Sequence, residues 1–234
     1  MSMHRERTEE GGNGIALVAV GKTASAADSS WLPLDALNAE TRLDLGWPGS
    51  GGEVFKLRRP AFLRLVIADE LDDNLIGWLE ATREAEPEWA LLVVVTDSPL
   101  SICVSAAQRL RAPVLNRFHG ATFEDAIRVW FNPMALPGLV GFGPADMTAL
   151  AGQAAVGWVT TIHDRASLES ARWCVGSANA WLIDLATESL MEAHELLSDL
   201  QEATHDKDAA MFCAGAIQEP GRTRNSLAVL FKSI

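Results

Sequence analysis

The run Phe62-Leu-Arg-Leu-Val-Ile-Ala68, the segment from Asp72 to Glu86, and the run Ala90-Leu-Leu-Val-Val-Val-Thr96 set the fold class. The two outer pieces are short and apolar at nearly every position, the pattern of strands buried on both faces. Between them Leu75, Ile76 and Leu79 recur at helical spacing, so the order reads strand, helix, strand. Parallel strands need such a crossover, and repeated crossovers give an α/β sheet covered on both faces.

Working outward, Ile15-Ala-Leu-Val-Ala-Val20 is another buried strand, ended by Gly21. Downstream, Asp97-Ser98-Pro99 opens a helix over Leu100 to Leu110, and Ala112 to Leu115 is a brief fourth strand. Thr122-Phe-Glu-Asp125 resembles a capping sequence before Ile127, Val129 and Trp130, which predicts a connecting helix of about three turns. Asn132-Pro133 and Leu136-Pro137-Gly138 read as chain breaks. A second α/β unit follows: helix Pro144 to Ala155, strand Val156 to Ile162, helix Ala166 to Cys174, strand Ala180 to Ala186. Ser189-Leu-Met-Glu192 is a capping box that opens a long helix to Ala203, with Leu190, Ala193, Leu196, Leu197 and Leu200 on one face. Strands over Ala209 to Ile217 and Leu227 to Lys232, with Glu219-Pro220-Gly221 between them, predict a terminal hairpin.

The 234 residues are 48% hydrophobic, ample for a sizeable core, and 31 acidic against 19 basic side chains give a net charge of −12. No basic cluster runs beyond Arg58-Arg59, so a phosphate-tracking surface for nucleic acid and an anionic membrane surface are both disfavoured. Cys103, Cys174 and Cys213 sit in apolar runs and read as reduced core thiols. Residues 1–13 read as a polar, flexible arm without the apolar stretch of a secretory signal. No run of about 18 charge-free apolar residues offers a membrane span, so the expected location is cytoplasmic. The five histidines are scattered without a zinc-type pair, and no G-x-S-x-G elbow is present.

The second half resembles the tubulin/FtsZ family of filament-forming GTPases, its bacterial division branch in particular. Leu136-Pro-Gly-Leu-Val140 with Ala145-Asp146 is similar to that family's "PGLIN-D-FAD" stretch, and the order of elements after it is similar to the activation domain. Trp31-Leu-Pro-Leu-Asp-Ala-Leu-Asn38 resembles "FIAVNTDAQAL", Arg42-Leu-Asp-Leu-Gly46 resembles "KLDVG", and the 90–96 run resembles "ALTIGVVT". The resemblance implies a tubulin/FtsZ-like α/β fold. Residues 14–118 would form a reduced nucleotide-binding-type domain with a parallel sheet, 119–135 the connecting helix, and 136–234 an α+β activation-type domain.

The nucleotide loops depart from the family pattern. Where it carries a glycine-rich phosphate loop, this chain has Ala68-Asp69-Glu70-Leu71-Asp72-Asp73-Asn74, with no glycine and four carboxylates. A like-charge contact at about 4 Å costs about 1 kcal/mol in water and about 4 kcal/mol at an effective dielectric of 20, against about 1 kcal/mol for a neutral hydrogen bond. GTP in the family pose is therefore disfavoured. After Val20 the family has a second glycine-rich turn and a long helix, whereas Gly21 to Asp28 leaves no room for one. Gly21-Lys22-Thr23 lacks the leading glycine of a Walker loop, whose place is Ala16. In the family, hydrolysis needs an "N-x-D-x-x-D" loop from the next subunit; here the matching positions are Gly141, Gly143 and Asp146, so one carboxylate remains.

These readings predict a pseudo-GTPase without a bound cofactor that acts by association with itself or a filament-forming FtsZ relative. The candidate surfaces are Asp69, Glu70, Asp72 and Asp73 on one side, and Pro137, Gly138, Gly141, Gly143 and Asp146 on the other. Two alternatives stay open: a hydrolase holding a divalent cation on Asp69, Glu70, Asp72 and Asp73 at the carboxyl end of a strand, or an α/β regulatory scaffold unrelated to filaments.

Overall fold

The computed structural model describes residues 14–27, 42–46, 62–85, 91–118, 120–135, 144–152, 155–186, 189–206, 208–215 and 224–232. In chain order these form β1 (Gly14–Val20), α1 (Lys22–Ser25), β2 (Arg42–Gly46), β3 (Leu63–Ala68), α2 (Asp73–Ala85), β4 (Leu91–Thr96), α3 (Leu100–Leu110) and β5 (Pro113–Arg117). Then come α4 (Phe123–Ala135), α5 (Pro144–Ala151), β6 (Ala155–Ile162), α6 (Arg165–Gly176), β7 (Ala180–Leu185), α7 (Leu190–Ala203), β8 (Ala210–Gly215) and β9 (Asn225–Lys232). The 1–13 arm, the 31–38 strand and the Glu219-Pro220-Gly221 turn fall outside the described residues.

The nine strands of the described residues join one sheet in the order β2-β1-β3-β4-β5-β6-β9-β7-β8. The pairings from β2 to β6 are parallel, and β9 runs antiparallel between β6 and β7. Every residue of β3 and β4 is buried, Arg64 and Thr96 along with the apolar positions around them. The pairing of Pro113–Arg117 with Ala155–Val159 stitches the strands before α4 to those after it, so no sheet edge separates the halves.

Three apolar clusters fill the two spaces between the sheet and the helices on either side of it. One face of the sheet packs against α1, α4 and α5 across its width, through Ile127, Trp130, Met147 and Leu150 among others. The other face is covered by α2 and α3 over the first half and by α6 and α7 over the second. Helix α4 lies inside: every residue from Asp125 to Pro133 is buried, the polar Asp125, Arg128 and Asn132 included. A reciprocal cap starts it, with Asp125 N–H donating to Thr122 Oγ1 (3.2 Å) and Thr122 N–H to Asp125 Oδ2 (2.8 Å).

Three expectations are corrected. The chain break expected at Asn132-Pro133 is absent: α4 continues to Ala135 with Pro133 inside its last turn, where one missing N–H removes a single hydrogen bond. The last two strands do not form a hairpin. Strand β9 is apolar and buried from Ser226 to Leu230, so it takes an interior place between β6 and β7, and β8 pairs parallel with β7 instead. Helix α7 has its predicted cap, Ser189 accepting from Met191 and Glu192 N–H, and buries Ala193 and Leu200, but Leu190 is 70% exposed and not part of the packed face.

Candidate functional site

The loops at the carboxyl ends of β1 and β3 lie side by side, the position where open α/β sheets place their ligands. Asp69 N–H donates to Val20 carbonyl oxygen at 3.0 Å, so the two chains leave the sheet together. Beyond Val20 the backbone turns at Gly21, φ +103°, into the single helical turn of α1, far short of a long helix. The Asp69 carboxylate spans the gap: Oδ2 accepts from Thr23 N–H at 2.9 Å and Oδ1 from Ala24 N–H at 2.7 Å. Burial raises the Asp69 pKa, but the Thr23 and Ala24 N–H groups outweigh it and hold the carboxyl below its ordinary 3.8. A Cβ on Gly21 would lie 2.6 Å from Asp69 Cγ, so glycine is required there by the backbone angle and by the carboxylate's approach.

The remaining acidic residues of the stretch turn to other partners. Asp72 Oδ1 accepts from Leu75 N–H at 2.7 Å and caps α2. Asp73 is 94% exposed at its side chain and pairs with Arg109 Nη1 at 2.9 Å, while Arg109 also holds Glu80 through two hydrogen bonds. Glu70 is exposed. The four carboxylates do not converge, and among the described residues no group of three or more His, Cys, Asp or Glu is placed to hold a metal ion.

Behind the acidic stretch, uncharged side chains sew the strand ends together. Ser98 Oγ accepts from Leu71 N–H at 2.6 Å, and Asn116 Nδ2 donates to the carbonyls of Thr96 (3.2 Å) and Ser98 (2.6 Å). Cys103 donates its thiol to Asn116 Oδ1 at 3.4 Å; burial pushes its pKa up to about 11, a packed and unreactive thiol. Burial raises Cys174 and Cys213 to about 11 as well, and all three cysteines are free.

On the second candidate surface, Pro137, Gly138, Gly141 and Gly143 lie outside the described residues. Asp146 is half-buried in the first turn of α5, on the face of the sheet opposite α2.

A buried polar track beneath α4 was not singled out from the sequence. Asp125, 1% exposed, faces Arg224 Nε at 3.1 Å and Ser226 Oγ at 3.5 Å, and Asn132 Nδ2 donates to the buried Asp184 Oδ2 at 2.9 Å. These contacts tie the helix to β9 and β7. The available signal was a stripe of polar residues, Asp125, Arg128 and Asn132, on a helix apolar elsewhere along its middle.

No family model matches this chain, and no curated protein matches it in sequence. Solved structures do match: one is a tryptophan-to-tyrosine mutant of FtsZ from M. jannaschii, 12% identical, with a TM-score of 0.65 over 95% of this chain and 91% of that one. The likeness establishes a tubulin/FtsZ-like α/β fold. Among the described residues no helix is long and apolar enough to cross a membrane.

Proposed function

We propose that this chain uses an FtsZ-like frame for protein–protein association, with copies of itself or with a filament-forming FtsZ relative, and turns over no GTP. The observation that carries this reading is the Asp69 carboxylate on the N–H groups of Thr23 and Ala24. Main-chain donors at the end of a first strand are what a phosphate would use, and here an internal anion already accepts from them. A triphosphate would have to displace Asp69 and then sit beside Glu70 and Asp72, each like-charge contact costing about 1 kcal/mol in water and about 4 kcal/mol at an effective dielectric of 20. The single carboxylate Asp146, where the family loop has two, supports the same conclusion for hydrolysis. The reading assigns no cofactor, and a cytoplasmic place of work in cell division, to a chain whose three thiols are free.

The test is equilibrium binding of labelled GTP and GDP, followed by co-sedimentation with a polymerising FtsZ. No saturable nucleotide binding, together with a change in polymer mass or length, is the expected result. Micromolar GTP affinity, or turnover abolished by Asp146→Ala, overturns the reading.

A further inference from the structure

The two ends of the sheet are guarded differently. Strand β2 carries Arg42 and Asp44, whereas β8, Ala210-Met-Phe-Cys-Ala-Gly215, has no charged residue and no proline. Edge strands ordinarily carry such residues, because their unpaired N–H and C=O groups would otherwise template another strand. Among the described residues no strand lies beyond β8. Met211 is 43% exposed, and Phe212 and Cys213 are half-buried, while β3 and β4, apolar apart from Arg64 and Thr96, are buried throughout.

The hydrogen-bond phase of this edge is fixed. Ala210 stands opposite Ala180 in a parallel pairing, and its N–H donates to Asn179 carbonyl oxygen at 2.9 Å. In a parallel ladder each residue directs both main-chain groups to one side, and alternate residues use opposite sides. Ala210, Phe212 and Ala214 therefore bond to β7, and Met211, Cys213 and Gly215 turn their N–H and C=O outward.

We infer that β8 pairs antiparallel with β8 of a second copy of this chain about a twofold axis, Cys213 opposite Cys213 and Met211 opposite Gly215. The three outward residues are spaced symmetrically about Cys213, so each outward N–H meets an outward C=O, as an isologous contact requires. A chain of net charge −12 repels its own copy over most of its surface, and this ladder sets no charge against a like charge. The inference rests on the association reading and names its surface.

The experiment is sedimentation equilibrium of the full chain from low micromolar to several hundred micromolar, with amide exchange followed at Met211 and Cys213. The wild type should pass from 25.2 kDa to twice that mass, and both amides should slow as concentration rises. Met211→Pro removes an outward N–H and no bond to β7, and proline is tolerated on sheet edges, so that variant should stay folded and monomeric. Met211→Lys, which keeps the backbone intact, should weaken the dimer at least tenfold. A wild type monomeric throughout overturns the inference and leaves association with an FtsZ relative to its own co-sedimentation assay. Dimers undiminished in both variants, with exchange independent of concentration, overturn it while leaving self-association on another surface.

Discussion

Replacing Asp69 by alanine deletes the acceptor of two main-chain donors at once. Each hydrogen bond to a charged group contributes about 1.5–3 kcal/mol when shielded. Thr23 is exposed and Asp69 half-buried, so water replaces part of the loss, and about half of the summed value, about 1.5–3 kcal/mol, is expected. For a chain of this size that lowers Tm by about 3–12 °C. The pH dependence follows from the depressed carboxyl. Because its folded pKa lies below the ordinary 3.8, the contribution is fully present above that value and is lost as pH falls through the folded one. Differential scanning calorimetry of wild type and Asp69→Ala should therefore show a Tm gap that is constant from neutral pH down to the ordinary carboxylate range and closes below it. A gap under about 1 °C at neutral pH would refute the clamp. A gap that widens on acidification would refute the sign of the shift.

Gly157→Ala should destabilise by about 3 kcal/mol or more, read as a collapse in Tm, because the added Cβ would lie 1.9 Å from Val229 carbonyl oxygen in the neighbouring strand. Gly77→Ala, in the interior of α2 with nothing within 4 Å, should instead raise stability by about 0.5–1 kcal/mol in denaturant titration. Arg224→Ala should cost about 2–3 kcal/mol, more than an exposed pair, since it strips a cation from the buried Asp125; a cost below about 0.5 kcal/mol would show the pair to be idle. Cys103 and Cys174, buried with thiols raised to about 11, should react with a thiol reagent only at the rate of unfolding.

Periodicity made the layers legible in the sequence. The apolar runs at 15–20, 63–68 and 91–96 are central strands, and Leu75, Ile76 and Leu79 face them as their spacing predicts. What periodicity does not carry is partner choice. A Pro-Gly turn signals that the chain reverses, and β9 does run opposite to β8, but burial on both faces sends it to an interior position two places away. The stripe on α7 gives the helix its phase and says nothing of how far the neighbouring surface extends, hence the exposed Leu190. In the candidate site, the absence of glycine and the excess of carboxylates at 68–74 could be read directly. The engagement of Asp69 with Thr23 and Ala24 could not, since it joins residues 46 and 45 positions apart. Gly21 was its one sequence trace, a glycine whose reason is the side chain of another strand's loop.

The central claim is that an internal carboxylate stands where a nucleotide's phosphates would be held. Isothermal titration of the chain with GTP in the presence of magnesium tests it most directly. The account predicts no saturable heat up to millimolar nucleotide, and a stoichiometric isotherm with micromolar affinity would contradict it.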